Sequence, residues 1–150
     1  MRIEYYVCFE LAKKLKSCGF NEPCNTYYYY AYGDENEDEF MESSNADDYN
    51  SDEWTSPHFS APTLDRALRW LRTVHGLHIS ISAVMGGRWT YEIQDLKPIH
   101  DDSGDCYSRI PERDGYPVID TYEAALSAGI EVAVDAIVEW KHTYKDLKQS

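Results

Sequence analysis

Apolar and polar positions change period several times along the chain, and each change predicts an element. Over residues 6–18, Val7, Leu11, Leu15 and Cys18 fall on one stripe at helical spacing. Gly19 stands where a helix can end in a left-handed residue, and Lys13, Lys14 and Lys16 suit the negative end of the helix dipole. Residues 26–32 show no such stripe and form a β-favouring run made mostly of tyrosine. Helical spacing returns after Ser60-Ala61-Pro62-Thr63: Thr63 can cap a helix whose apolar face is Leu64, Ala67, Leu68, Leu71 and Val74, with Gly76 as its end. From Leu77 the period drops to two, with Leu77, Ile79, Ile81 and Ala83 alternating with His78, Ser80 and Ser82. Met85-Gly86-Gly87-Arg88 signals a hairpin, and the return strand separates Trp89, Tyr91 and Ile93 from Thr90, Glu92 and Gln94. Residues 96–119 carry turn residues and no period, which predicts an irregular loop. Asp120 and Glu123 have capping-box spacing, and the helix they open is expected to run to about Trp140 or Tyr144. Its charged residues Glu131, Asp135 and Glu139 occupy one narrow stripe, so the helix should be mostly enclosed.

The predicted order is α-β-(acidic insert)-α-β-β-α. The hairpin strands pair antiparallel, and the tyrosine strand is the natural third member. The fold class expected is therefore α+β: a two-layer arrangement of a three-stranded antiparallel sheet packed by about three helices. A chain of 150 residues is the usual size of a single domain, and its 43% hydrophobic and 27% charged residues are near globular averages.

Charge adds one feature that periodicity does not show. The net charge is −13, yet residues 33–56 hold ten acids and no Lys or Arg, which leaves −3 for all the rest. Asp34, Glu35, Glu37, Asp38, Glu39 and Glu42 open that segment. Ser and Asn crowd it, with only Phe40, Met41, Tyr49 and Trp54 as anchors, so residues 33–57 are expected to be a mobile acidic insert. Such a balance argues against a nucleic-acid partner and against anionic membranes, since both need Lys and Arg. Cys8, Cys18, Cys24 and Cys106 lack zinc or thioredoxin spacing, and the sequence starts with no apolar signal core. Reduced thiols and a cytoplasmic location are the expectation.

Three stretches carry a resemblance: the segment from Ser60 through Asp65-Arg66-Ala67-Leu68-Arg69-Trp70-Leu71 to Ile79, the opening Glu4-Tyr5-Tyr6-Val7-Cys8-Phe9-Glu10, and Thr121-Tyr122-Glu123-Ala124-Ala125. Together they resemble a family of small uncharacterised proteins of gut bacteria and their phages or mobile elements. That family carries no established activity. The resemblance implies an accessory protein without household enzymology.

Candidate chemistry is sparse. Asp34, Asn36 and Asp38 match the first ligand positions of a calcium loop, but Glu39 stands where glycine is needed and Asn45 where a bidentate glutamate is needed. No phosphate loop, nucleophile elbow or zinc-protease motif occurs, so no catalytic residue, metal or cofactor is nominated. The tyrosines are less ordinary. In a strand, Tyr28, Tyr30 and Tyr32 face one way, and on the sheet proposed above they would lie near His78 and Arg88. These five form a candidate contact surface, because tyrosine offers apolar area and a polar handle at low entropic cost. The function expected is a non-enzymatic protein-binding module, with an unidentified protein partner and with helix 121–140 able to serve a homodimer. Two alternatives are a small-ligand or nucleotide-derivative binder (or minor hydrolase) and an acidic DNA-mimic inhibitor.

Overall fold

A computed structural model describes residues 3–31, 38–54, 56–110 and 117–149, with side chains as far as residue 140. The protein is α+β, with three α-helices and antiparallel sheets among the described residues. It divides into two compact units, Met1–Thr63 and Leu64–Ser150.

The first unit opens with a 3-10 turn (Ile3–Tyr5) and helix α1 (Phe9–Ser17). The predicted stripe is real: Val7, Leu11, Leu15 and Cys18 are all buried. Gly19, at φ 90°, ends the helix as its position suggested. Strands β1 (Cys24–Tyr30), β2 (Asp38–Asp47) and β3 (His58–Ser60) follow, ordered β2-β1-β3, all antiparallel. The tyrosine strand is therefore the centre of its own sheet rather than a neighbour of the later hairpin. Part of the expected irregular insert is also strand: residues 38–47 pair along β1, with Tyr27 opposite Met41, Tyr28 opposite Phe40 and Tyr29 opposite Glu39. The aromatic partner supplies cross-strand contacts that the acidic segment lacks by itself.

The two faces of this sheet differ. Tyr28 and Tyr30 face α1, where the Phe9 ring meets Tyr28, Tyr30 and Phe59 edge-on at 5.5–5.7 Å. The Tyr28 hydroxyl donates to the Val7 carbonyl at 2.8 Å. Beyond β2 the chain is tied back by Asn50, whose amide donates to the Phe20 carbonyl (2.8 Å) and accepts from the Ser60 amide (2.9 Å).

The second unit holds helix α2 (Leu64–Trp70), strands β4 (Leu77–Val84) and β5 (Arg88–Asp95), the short pair β6 (Ile99–His100) and β7 (Cys106–Tyr107), and helix α3 (Tyr122–Gln149). The hairpin has the predicted turn, with Gly86 and Gly87 at positive φ and Val84 opposite Arg88. Helix α2 does not keep its period. Residues Leu71–His75 form a π-turn, closed where the Gly76 amide donates to the Leu71 carbonyl. That wider turn swings Val74 out to 52% exposure and leaves Trp70 buried at 3%, so the predicted apolar face is wrong at Val74 and incomplete at Trp70. The predicted loop at 96–119 contains the β6–β7 pair. Helix α3 is capped one residue later than expected, by Thr121, whose hydroxyl accepts from the Ala124 amide at 3.1 Å. Asp120 faces Arg88 instead, at 3.5 Å.

Helix α3 lies against both hairpin strands, and its enclosed face includes Ala125, Leu126, Ile130, Ala133, Val134 and Ile137. Gly129 permits the approach: a Cβ there would sit 2.6 Å from Ile79 Cγ2 and 3.2 Å from the Tyr91 ring. Asp95 at the end of β5 is almost fully enclosed and binds Arg109 through Nη2 (2.7 Å), Nε (3.1 Å) and the main-chain amide (2.7 Å). Burial pushes the Asp95 carboxyl up, but the hydrogen bonds and charge of Arg109 outweigh it and hold the group below the usual carboxylate range. The guanidinium also donates to the His75 carbonyl (3.0 Å) and lies 4.7 Å from the Trp140 ring centre. Among the described residues no helix is long and apolar enough to cross a membrane.

Candidate functional site

The face of the first sheet that looks away from α1 carries Tyr27 and Tyr29 from β1, Glu39 and Met41 from β2, and His58 from β3, placed there by the pairing register. The turn after β2 folds two further rings onto it. Tyr49 stacks on Tyr27 with centroids 4.2 Å apart, and Trp54 stacks on Tyr49 at 5.3 Å. His58 lies within 5.2 Å of Tyr27 and 4.9 Å of Trp54, and near-parallel to Tyr29 at 6.4 Å. The result is a continuous aromatic layer. Tyr49 is buried within it, Tyr27, Tyr29 and His58 are half-buried, and Trp54 is exposed.

Polar groups fix the edges of that layer. The Tyr29 hydroxyl donates to Glu39 Oε2 at 2.7 Å, holding a carboxylate beside the ring. Trp54 Nε1 donates to the Asp48 carbonyl at 3.0 Å. His58 Nδ1 lies 2.8 Å from the Ser56 carbonyl; a carbonyl only accepts, so Nδ1 is the donor.

Strand β2 borders the layer and is an edge: among the described residues only β1 pairs with it. Its side chains are exposed apart from the half-buried Phe40 and Ser43. Asp38, Glu39, Glu42 and Asp47 lie on it, Asp48 follows, and Asp52 and Glu53 lie exposed in the turn beyond.

The sequence-nominated residues distribute unevenly. Asp38, Glu39 and Glu42 stand on β2, with Glu39 on the face of the aromatic layer and Asp38 and Glu42, opposite Tyr30 and Thr26, on the other face. Tyr32, Asp34, Glu35 and Glu37 lie outside the described residues. Tyr28 is corrected: it is only 5% exposed, and burial, with Cys8 and Asp38 nearby, pushes its hydroxyl up to about 12. Tyr30 is half-buried on the same α1-facing side. His78 and Arg88 belong to the β4–β5 hairpin, which is a separate sheet, so the strand pairing that grouped them with the tyrosines does not exist. His78 faces Gln94 across the hairpin, with Nδ1 buried and without a hydrogen bond among the described groups.

Sequence reasoning missed Tyr27, Tyr29 and His58 because it chose the wrong parity. The register decides the parity. Tyr28 opposes Phe40 and Phe59 and Tyr30 opposes Asp38, whereas Tyr27 and Tyr29 oppose Met41, Ser60, Glu39 and His58. The apolar partners mark the covered face.

Among the described residues no group of three or more His, Cys, Asp and Glu side chains is placed to hold a metal ion. Compared with models of known protein families, with curated proteins and with solved structures, the chain finds no significant match in any of the three.

Proposed function

We propose that this chain is a protein-binding module whose first unit takes an extended, cationic segment of a partner protein as an added strand along β2. The observation that carries it is the ten-residue outer edge of β2, lined with carboxylates and bordered by an aromatic layer. An edge strand presents main-chain donors and acceptors that an extended peptide can pair with, while side chains at alternate positions supply specificity. Charge selects the occupant. Residues 1–63 contain thirteen acidic against four basic residues. A second copy of β2 would bring its own carboxylates against these, whereas a basic segment meets them favourably and is steered toward them.

The test uses the full chain and an eight-residue peptide alternating threonine and lysine, followed by fluorescence anisotropy. Binding is expected to weaken with salt. N-methylation of the amides along one edge of the peptide should abolish it, and methylation along the other edge should leave it intact. Equal tolerance of both methylated peptides would rule out strand addition, as would no binding at all.

A further inference from the structure

We infer that the half-buried rings of Tyr29 and His58, with the Glu39 carboxylate at their rim, form a subsite for an arginine side chain of the added strand. The inference rests on the strand-addition reading and specifies what that strand must carry.

Three features of the site agree. First, the register puts Tyr29 directly between Glu39 on β2 and His58 on β3, so ring faces and carboxylate occupy one row across the sheet. A strand added beyond β2 extends that row by one position, next to Glu39, about 5 Å away. An arginine there, its side chain turned to this face, can reach over Glu39 to the rings. Second, the hydrogen bond from the Tyr29 hydroxyl takes only Glu39 Oε2, so Oε1 keeps its capacity to accept from a guanidinium. Third, Tyr29 and His58 stack within 23° of parallel at 6.4 Å, and both rings are only half-buried, so part of the stacked pair is exposed beside Glu39.

A planar cation fits this combination better than a compact one. The guanidinium stacks flat on aromatic faces, is weakly hydrated, and donates in its own plane to a carboxylate at the rim. An ammonium can approach a ring but cannot stack on it. The subsite therefore separates arginine from lysine, although the charge of the whole edge does not.

The experiment compares three peptides on the full chain: alternating threonine–lysine, the same peptide with arginine replacing lysine, and one with citrulline, which keeps the planar shape without charge. The arginine peptide should bind about five- to tenfold more tightly than the lysine peptide, the scale of one cation–π contact with a hydrogen-bonded carboxylate. The citrulline peptide should bind most weakly. In Tyr29→Leu the ratio of arginine- to lysine-peptide affinity should fall to about one; Tyr29→Phe, which keeps the ring, should retain most of it. Glu39→Gln should reduce it. Equal affinity for arginine and lysine peptides in the unaltered protein overturns the subsite and leaves strand addition standing. Failure of every peptide to bind overturns both. An unchanged preference in Tyr29→Leu also overturns the assignment.

Discussion

The Asp95–Arg109 pair offers the sharpest test of the second unit, because both charges are enclosed and each satisfies the other. Asp95 is 2% exposed at its side chain and Arg109 22%. The carboxylate accepts from Arg109 Nε, Nη2 and main-chain amide and from the Lys97 amide at 3.0 Å. Removing one member of such a pair costs about 3–5 kcal/mol, most of it from stranding the other charge away from water. Asp95→Asn and Arg109→Met should each fall in that range. The double variant strands neither, so its cost should be well below the sum, with a coupling of at least about 2 kcal/mol. The measurement is urea unfolding, followed by tryptophan fluorescence and circular dichroism, with Trp140 beside the guanidinium as a local reporter. The pair also fixes a pH dependence. The Asp95 carboxyl is held below its usual value, so its contribution is present above the unfolded value near 3.9 and is lost as pH falls through the lower folded value. Asp95→Asn should flatten stability over that acidic window. Single variants costing under about 1 kcal/mol, or costs that simply add, would refute the reasoning.

Three further outcomes are expected. Gly129→Ala gains up to about 1 kcal/mol of helix preference, yet its Cβ would press on Ile79 Cγ2 at 2.6 Å, so a net loss of about 1–2 kcal/mol should appear in thermal melts; a stabilised variant would contradict the close approach of α3. Tyr28→Phe should cost about 1 kcal/mol at neutral pH for the lost bond to the Val7 carbonyl. Because the folded state raises the Tyr28 hydroxyl to about 12, its neutral form stabilises the fold below pH about 10, and on the order of 2–3 kcal/mol is lost as pH rises from 10 through 12. Alkaline unfolding of the variant should lack that slope. Asn50→Ala strands the Phe20 carbonyl and the Ser60 amide and should cost about 1–3 kcal/mol by chemical unfolding; no change would mean that water replaces the side chain without loss.

Much of the architecture could be read from periodicity, and the parts that could not share a cause. Helix α1, the β4–β5 hairpin and helix α3 advertise themselves because their own residues carry the pattern, down to Gly19 and the Gly86-Gly87 turn. Strand β2 does not: Asp, Glu, Asn and Ser are poor strand formers, and only pairing with the tyrosines makes residues 38–47 extended. The same non-local fact hid the candidate site. Which tyrosines lie open depends on where Phe9, Phe40 and Phe59 gather, and those residues are distant in sequence. The acids Asp38, Glu39 and Glu42 were visible as charge, but that Glu39 of the three aligns with Tyr29 and His58 follows from register, which composition does not encode.

The wide turn at Leu71–His75 has a consequence for the history of the protein. The π-turn forms the last turn of α2, closed by the left-handed Gly76, and behaves as a single extra residue that the helix end absorbs. A relative one residue shorter here would keep an unbroken α-helix, and every position after Trp70 would rotate by about 100° relative to those before it. Aligned with this chain, such a relative would show one gap within residues 71–75. Deleting a single residue there should reproduce its helix in the laboratory.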